Sequence, residues 1–468
     1  MISFSTSDYL VIIIFFLAVL TIGFISGRKL GTEADDYLLS GRKVGLFLFI
    51  LTNVSTWYGG ILGVGEFTYR YGLVSWFTQG FPYYAFAFLF ALFLAKKIRH
   101  ASLFTIPDKL TEVYGEKAGL ISAVFVFVLV SPAPYLLMTA NLISLIFGTG
   151  ILISLILGLI LSTVYLLQGG FKANVFTDSF QFFVMFGGFI LILFFSYSDY
   201  GGVTYLSSNL PVNHLKITGG ASPTFIIVWF LIALWTFADP GFHQRCYAAK
   251  SGDVAVKGIL ISIIFWALFD FLTTTTGLYS RAVLPGIKQP VQSYPLLAEK
   301  VLGPGLKGIF YAALFATIMS TLNSFLFLSG TTIGRDFIYK FYPNKNEKKL
   351  KPFTIYGLII SGILSVALAY DIPSVIEIWY TIGSFCIPGI ILPVITSYYP
   401  KFGIHKKFII LEMLIASAGS ILWFVIRENF YLGNIFTEVE PMLVGLSIAV
   451  LIHLYGLYKF NSFPKETR

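Results

Sequence analysis

The chain has 468 residues, of which 56% are hydrophobic and only 12% are charged, whereas about a quarter of the residues of soluble domains are charged. This composition excludes a soluble globular protein and indicates a membrane protein with many spans. The net charge of +9 comes without a basic face or recognition motif and does not indicate a nucleic-acid partner, and the two cysteines and five histidines are too scattered to predict a disulfide framework or a metal cluster.

Apolar segments follow one another from the N-terminus onward. The first, 9–26, has no Lys or Arg before it and no small-residue cleavage site after it, so it predicts a retained span rather than a signal peptide. At about 20 residues per crossing, the sequence predicts an all-α membrane protein with about 13 transmembrane helices. The predicted spans are 8–27, 44–68, 74–95, 118–147, 149–168, 174–197, 224–247, 257–280, 308–333, 353–370, 374–399, 408–427 and 440–459.

Basic residues are distributed unevenly among the connections between these spans. Most of the 32 lysines and arginines fall in alternate connections, as expected when positively charged loops face the cytoplasm. Arg245 and the segment from Arg335 to Pro352 are assigned to such loops. The pattern predicts a multi-pass protein of the cell membrane with its N-terminus outside and its C-terminus in the cytoplasm. No linker or soluble module is evident, so residues 1–468 are predicted to form a single membrane domain.

Two of the predicted spans contain residues that interrupt helices. The second carries polar residues and glycines between Asn53 and Gly65, and the seventh contains WTFADPGFHQR, in which Pro240 removes a helix donor. The two interruptions are five spans apart, and because five is odd, a repeat of five helices would be inverted relative to its partner. The alternative is that Gly and Pro only kink these helices, since both residues are common in membrane spans.

Hydroxyl side chains form a stripe along the ninth predicted span. Thr317, Ser320, Thr321 and Ser324 are three, four and seven residues apart, so they share one helix face. Hydroxyl and carbonyl oxygens suit a hard, small cation such as Na⁺. The alternative is a stripe of small residues through which helices approach closely and form hydrogen bonds.

Acidic residues within or beside apolar spans are expensive to bury and are functional candidates. Four positions qualify: Asp178, Asp239, Asp270 and Glu377. Asp178 is also a candidate N-cap of the sixth span. Asp239, at the predicted interruption, is the candidate for solute contact, while Asp270 and Glu377 are candidates for pairing with basic residues of neighbouring spans.

Six motifs in one order carry a resemblance to a known family. They are DDYLLSGRKVG, NVSTW, GGFKANVFTDSFQ, QRCYAAKS, ATIMSTLNS and CIPGI. Together with the 13-span pattern they resemble the sodium/solute symporter family, which contains the sodium/proline and sodium/glucose transporters. The resemblance extends from the first span to the thirteenth.

The resemblance implies a leucine-transporter type fold with two inverted five-helix repeats. The repeats would cover 44–197 and 224–399, preceded by an extra N-terminal helix at 8–27 and followed by two C-terminal helices at 408–459. It also implies a single transport domain that works as a monomeric unit in the lipid bilayer by alternating access, with Na⁺ as the coupling ion and no organic cofactor.

The resemblance further implies ion and solute sites. For the main Na⁺ site it points to carbonyls of Leu51, Val54 and Thr317 and hydroxyls of Ser320 and Thr321. A possible second Na⁺ site would use Asp178, Asn323 and Ser324, although Asn323 replaces a serine of the family pattern. The implied solute site comprises Thr56, Trp57, Tyr58, Gln79, Phe237, Asp239, Phe242, Tyr380 and Ser384. Asp239 replaces an uncharged residue of the proline and pantothenate branch, and its carboxylate would suit a solute with a cationic or hydroxyl group.

The expected function is Na⁺-coupled symport of a small polar organic solute into the cell. Amino acids, vitamins, sugars and carboxylates are all compatible with the sequence. Two alternatives remain open: a proton-coupled symporter on the same fold that uses Asp178 or Asp239, and a membrane solute sensor or receptor. An enzyme is not expected, because no histidine cluster, activated nucleophile or convergent carboxylate pair is evident.

Overall fold

The structure, a computed structural model, describes residues 2–28, 33–343, 346–372, 375–430 and 439–461, without the side chains of 375–377, 379, 460 and 461. Over these residues the regular structure is helical, apart from one isolated parallel bridge between Val44 and Ala249. Eleven of the described helices are long and apolar enough to cross a membrane, which confirms the predicted all-α membrane protein. The side chain of Glu377 lies outside the description.

The described helices are named in chain order. The first eleven are α1 Thr6–Gly27, α2 Ala34–Leu39, α3 Leu46–Ser55, α4 Ile61–Tyr71, α5 Val74–Gln79, α6 Phe81–Phe90, α7 Lys96–Ala101, α8 Ile106–Tyr114, α9 Glu116–Leu129, α10 Ala133–Phe147 and α11 Ile151–Tyr200. The others are α12 Val203–Asn209, α13 Pro223–Ile232, α14 Pro240–Ala248, α15 Gly252–Val283, α16 Ser293–Val301, α17 Leu306–Thr331, α18 Leu350–Asp371, α19 Val375–Ser397, α20 Lys406–Asn429 and α21 Pro441–Asn461.

Helix α11 reverses its direction at Gly170, which has a φ of +51°. Before this residue the chain runs parallel to α1, because Tyr165 packs on Gly23 and Gly169 on Gly27. After it the chain runs back, since Phe180 stacks on Phe15 of α1 at 6.1 Å between ring centroids. The two halves of α11 therefore lie antiparallel and correspond to the predicted spans 149–168 and 174–197.

The two predicted interruptions lie where the sequence places them. The second predicted span consists of the short helices α3 and α4, separated by residues 56–60. In the seventh, α13 passes into a 3₁₀ segment at Ala233–Ala238, and Asp239 adopts an extended backbone before α14 begins at Pro240. Glycine and proline relax or remove the intrahelical hydrogen bonds at both points.

Helix α17 forms the centre of the bundle, because 94% of its most apolar window is buried. Its N-terminus is fixed by α1: Asp8 Oδ1 accepts hydrogen bonds from the backbone N–H groups of Gly305 and Gly308, both at 2.8 Å. These amides have no partner within their own helix, so the carboxylate of a neighbouring helix serves as their cap. The hydroxyl stripe predicted for the ninth span is consequently held at a fixed height in the core.

Candidate functional site

The end of α3 contacts α17 at the first interruption. Thr321 Oγ1 donates a hydrogen bond to the carbonyl oxygen of Thr56 at 2.8 Å. Gly59 packs on the same threonine so closely that a Cβ atom on the glycine would lie 2.4 Å from Thr321 Cβ. The carbonyls of Leu51 and Val54 lie in the last turn of α3, where they accept bonds from the Ser55 hydroxyl at 2.9 Å and the Trp57 amide at 3.2 Å.

The other α17 residues predicted for the main Na⁺ site are buried beside this end. Thr317 donates its hydroxyl to Ala313 in its own helix at 2.7 Å, so its hydroxyl is occupied. Ser320 Oγ is buried next to Asp178, yet it has no hydrogen-bond partner of normal geometry among the described residues. A buried hydroxyl without a partner costs free energy. The oxygen donors at this place, neutral carbonyls and hydroxyls beside a carboxylate, fit a small hard cation.

Asp178 lies in the second half of α11, completely buried. Its Oδ2 accepts hydrogen bonds from Thr52 Oγ1 at 2.5 Å and Asn174 Nδ2 at 3.2 Å, while its Oδ1 has no partner among the described residues. Because the helix begins well before this position, the alternative prediction of a helix cap is wrong. The side chain instead joins α11 to the end of α3.

Arg245 is the counter-charge of Asp178 and is only 3% exposed. Its Nη2 lies 3.7 Å from Asp178 Oδ2 and donates to Thr52 Oγ1 at 3.2 Å and Ser324 Oγ at 3.0 Å. The assignment of Arg245 to a cytoplasmic loop is therefore wrong. Its sequence neighbours Cys246 and Tyr247 are apolar or aromatic and fully buried. This apolar sequence context is the signal that could have predicted Arg245 to lie in the protein interior.

The residues suggested for a second Na⁺ site are only partly brought together. Ser324 receives hydrogen bonds from Asn174 at 2.7 Å and from Arg245, so it belongs to the Asp178 cluster. Asn323 is turned away and donates to the hydroxyl of Tyr165. The positive group beside Asp178 is thus the guanidinium of Arg245. The sequence did not predict this ion pair.

Aromatic rings predicted for the solute site meet at the second interruption. Trp57 packs edge-on against Phe242, with ring centroids 5.4 Å apart, and against Tyr83 at 5.0 Å. Phe237 is half-buried and contacts Phe86 at 5.8 Å. Asp239 accepts hydrogen bonds from the Phe242 amide and the Trp235 indole. The interruption after α3, the 3₁₀ segment, α6 and α14 therefore supply one common aromatic wall beside a carboxylate.

Other predicted solute residues point elsewhere or lie apart. Tyr58 donates its hydroxyl to the carbonyl of Trp266 at 2.7 Å and so faces α15. The hydroxyl of Tyr380 accepts a hydrogen bond from Arg427 Nη2 at 2.6 Å and donates one to the carboxylate of Glu440, which directs it to the C-terminal helices α20 and α21. Thr56 donates its hydroxyl to Thr52, Gln79 is half-buried at the end of α5, and Ser384 is buried on α19.

Asp270, another of the buried acidic residues predicted to be functional, has a hydrogen-bond partner on α6. The hydroxyl of Tyr84 donates to Asp270 Oδ2, and Gly80 lies so close that a Cβ atom there would be 2.6 Å from the same oxygen. The predicted pairing of Asp270 with a basic residue is not found among its described contacts. Asp270 instead links α15 to the junction of α5 and α6.

A set of ion pairs surrounds Phe104, and we call it the Phe104 cluster. The ring lies between two guanidinium groups, Arg42 at 5.0 Å and Arg335 at 4.5 Å. Arg335 pairs with Asp108 and, at 3.1 Å, with Asp336. The cluster joins the segment after α2, the start of α8 and the π-helical Thr332–Tyr339 segment that continues α17.

Two interrupted helices around a buried cluster of charges and hydroxyls are typical of secondary transporters, which hold ions and solute near the middle of the bilayer. This arrangement defines the class of the protein as a membrane transporter. Residues 37–400 match the Sodium:solute symporter family, and the chain belongs to this family. The resemblance seen in the six motifs is confirmed, and the protein is a sodium-coupled solute transporter rather than an enzyme.

Named relatives match along nearly the whole chain. The sodium/pantothenate symporter of Escherichia coli strain K12 is 27% identical over 94% of this chain and 93% of its own length. The osmoregulated proline transporter OpuE of Bacillus subtilis strain 168 is 24% identical over 88% of this chain and 87% of its own length.

Solved structures share the fold. A Na⁺-coupled sialic acid symporter in a substrate-bound outward-open state superposes with a TM-score of 0.81 at 16% identity, covering 99% of both chains. A nucleobase-cation-symport-1 family transporter in a closed conformation gives a TM-score of 0.63 at 12% identity, covering 92% of this chain and 95% of the other.

Proposed function

We propose that the protein couples inward Na⁺ movement to uptake of a small polar organic solute by alternating access. The observation that carries this proposal is the buried Ser320 hydroxyl, which lies beside Asp178 and has no hydrogen-bond partner of normal geometry among the described residues. It lies next to the contact of Thr321 with the interrupted second span. A cation bound there would hold α3 and α17 together and so couple ion binding to the arrangement of the solute site.

In the proposed topology the chain crosses the membrane 13 times. Eleven helices are candidates by length, α11 contributes one crossing more because it reverses at Gly170, and α3 with α4 contributes the remaining one. The repeats would be 44–197 and 224–399, inverted relative to each other and flanked by 8–27 and 408–459. The distribution of basic residues supports an external N-terminus and a cytoplasmic C-terminus, and one chain would form the transport unit.

The proposed ion site uses carbonyls of Leu51, Val54 and Thr317 with hydroxyls of Ser320 and Thr321. Na⁺ there would supply the driving force, at about 2.3 kcal/mol per charge for each 100 mV of membrane potential. The guanidinium of Arg245, already beside Asp178 and Ser324, would fill the second cation position. One coupled Na⁺ per cycle follows from this arrangement.

Alternating access requires that the ends of the pathway open in turn. The Phe104 cluster would be the closure of one end, because it joins three segments by ion pairs and cation–π contacts. Under the proposed orientation this end faces the cytoplasm. Release of solute inward would then require separation of Arg335 from Asp108.

The ion site is tested by replacing Ser320 or Thr321 with alanine. Either change should raise the Na⁺ concentration that half-maximally stabilises the purified protein by about tenfold, because one oxygen contact to a charge contributes about 1.5–3 kcal/mol. The measurement is thermal unfolding in detergent across a series of NaCl concentrations, with KCl keeping the ionic strength constant.

Thr331→Ala is the matched control, since Thr331 lies on the same helix and donates its hydroxyl to Phe327 at 2.7 Å in its own turn. It should leave the Na⁺ dependence unchanged. Equal Na⁺ dependence in all three variants and the parent protein would refute the site. Solute flux in proteoliposomes that follows a pH gradient without Na⁺ would favour the proton-coupled alternative.

A further inference from the structure

Asp239 occupies the junction between the 3₁₀ segment and α14, where it is only 6% exposed. Its Oδ1 accepts the backbone N–H of Phe242 at 2.8 Å, and its Oδ2 accepts the indole N–H of Trp235 at 2.7 Å. Both donors are neutral. The carboxylate is therefore oriented by hydrogen bonds from neutral groups. The positive charges that act on it are the partial charge at the N-terminus of α14 and the guanidinium of Arg245, which attracts it without forming an ion pair.

The guanidinium closest in sequence is engaged with other groups. Arg245 Nη2 pairs with Asp178 and Ser324, and its Nη1 donates to the Gly241 carbonyl at 3.1 Å. Among the described residues, no basic nitrogen lies within ion-pair distance of Asp239. Two carboxylates share this single guanidinium, so the cluster carries one net negative charge before Na⁺ binds beside Asp178. A buried carboxylate without a direct ion-pair partner is unfavourable.

The surroundings of Asp239 are aromatic. Phe242, whose amide binds the carboxylate, packs on Trp57 with centroids 5.4 Å apart and on Phe90 at 5.3 Å. Trp57 also contacts Tyr83 at 5.0 Å, and both rings are only half-buried. Aromatic faces attract organic cations, and methylated ammonium groups most readily because their charge is spread over an apolar surface.

We propose that the transported solute carries an alkylated ammonium group and that this group binds between the Asp239 carboxylate and the Trp57 and Tyr83 rings. The inference rests on the proposed symport function, because it assigns the chemistry of that solute site. The ammonium supplies the direct ion-pair partner that Asp239 lacks among the described residues. A solute of this class is either a cation or a zwitterion whose ammonium end faces Asp239.

The test uses choline, glycine betaine and 3,3-dimethylbutan-1-ol, the uncharged carbon isostere of choline. Each is titrated against the purified protein in NaCl and in KCl, and thermal unfolding is followed. At least one ammonium probe should bind in NaCl with a dissociation constant at least about tenfold below that of the isostere, a ratio that measures the charge at equal shape. Equal affinity for all three probes, or no binding of either ammonium compound, would overturn the inference.

The carboxylate itself is tested by Asp239→Asn. Asparagine caps helices as well as aspartate, so its single oxygen can keep the hydrogen bond from the Phe242 amide, while the bond from the Trp235 indole is lost. The variant should therefore fold with a somewhat lower unfolding temperature and keep its stabilisation by Na⁺. It should lose the tenfold discrimination between the ammonium probe and the isostere. Asp253→Asn is the control, because Asp253 is exposed and pairs with Lys96 away from the site.

The outcomes separate the two proposals. Stabilisation by Na⁺ together with unchanged discrimination in Asp239→Asn would remove the ammonium assignment and leave the symport function intact. A parent protein whose unfolding temperature does not respond to Na⁺ would instead contradict the symport function. If Asp239→Asn fails to fold, Tyr83→Leu replaces it, with the same expected loss of discrimination, and unaltered discrimination in that variant overturns the inference.

Discussion

Replacement of Arg245 by methionine is expected to destabilise the protein by about 3–5 kcal/mol, because it leaves the buried Asp178 carboxylate without its counter-charge. Asp178 is fully buried and its pairing atom lies 3.7 Å from the guanidinium, so water cannot replace the lost partner. The measurement is thermal unfolding of the purified protein in detergent at a fixed NaCl concentration.

Arg70→Met is the matched control for this prediction. Arg70 pairs with Glu66 at 2.9 Å, but half of its side chain is exposed, and such surface pairs contribute about 0–1 kcal/mol. The double variant Arg245→Met with Asp178→Asn should recover much of the lost stability, since it removes both charges. If Arg245→Met unfolded at the same temperature as Arg70→Met, the buried ion pair would not exist in the folded protein.

Replacement of Gly170 by alanine should also be severe. The residue has a φ of +51°, and a Cβ atom there would lie 2.4 Å from the carbonyl oxygen of Tyr37. With φ at +51° and ψ at −144°, the backbone lies in a region that is essentially restricted to glycine and costs another residue about 1–3 kcal/mol. The overlap with a backbone atom adds to this. We expect reduced yield of folded protein and a lower unfolding temperature, measured by size-exclusion chromatography and thermal unfolding.

Gly187→Ala provides the comparison within the same helix. Nothing lies within 4 Å of a Cβ atom at Gly187, and an exposed helical glycine replaced by alanine is stabilising by about 0.5–1 kcal/mol. The two variants should therefore change stability in opposite directions. A Gly170→Ala protein as stable as the parent would show that the chain does not turn at this residue.

The interruptions of the helices could be predicted from the sequence because their causes are local. Pro240 lacks an N–H group and glycines cluster after Asn53, and both effects act within one turn of the helix. The hydroxyl stripe of α17 could equally be predicted from the sequence, since helical spacing alone places Ser320 and Thr321 near each other. The spacing alone left helix packing open as the alternative, and it was the resemblance to the family motifs that pointed to an ion site formed with Leu51, Val54 and Thr317.

Other parts of the site depend on partners that are distant in sequence. Arg245 binds Thr52, 193 residues away, and a charge count over loops cannot reveal such a contact. Tyr380 has its hydroxyl fixed by Arg427 and Glu440, 47 and 60 residues away. The role of Asp239 as the N-cap of α14, in contrast, could be predicted from the local sequence, because an aspartate directly before a proline is a common start of a helix. The sequence analysis considered only the charge of this residue and its contact with the solute.

The reversal at Gly170 has a mechanical consequence. The two halves of α11 are joined at Gly170 without a loop between them. We therefore expect a tilt of one half to move the other. Tyr165 on the first half and Asp178 on the second are expected to shift together if either half tilts. Gly27 of α1 touches the turn at Gly169. We therefore expect a tilt of α11 to displace the N-terminal helix as well, although this helix lies outside the proposed repeats.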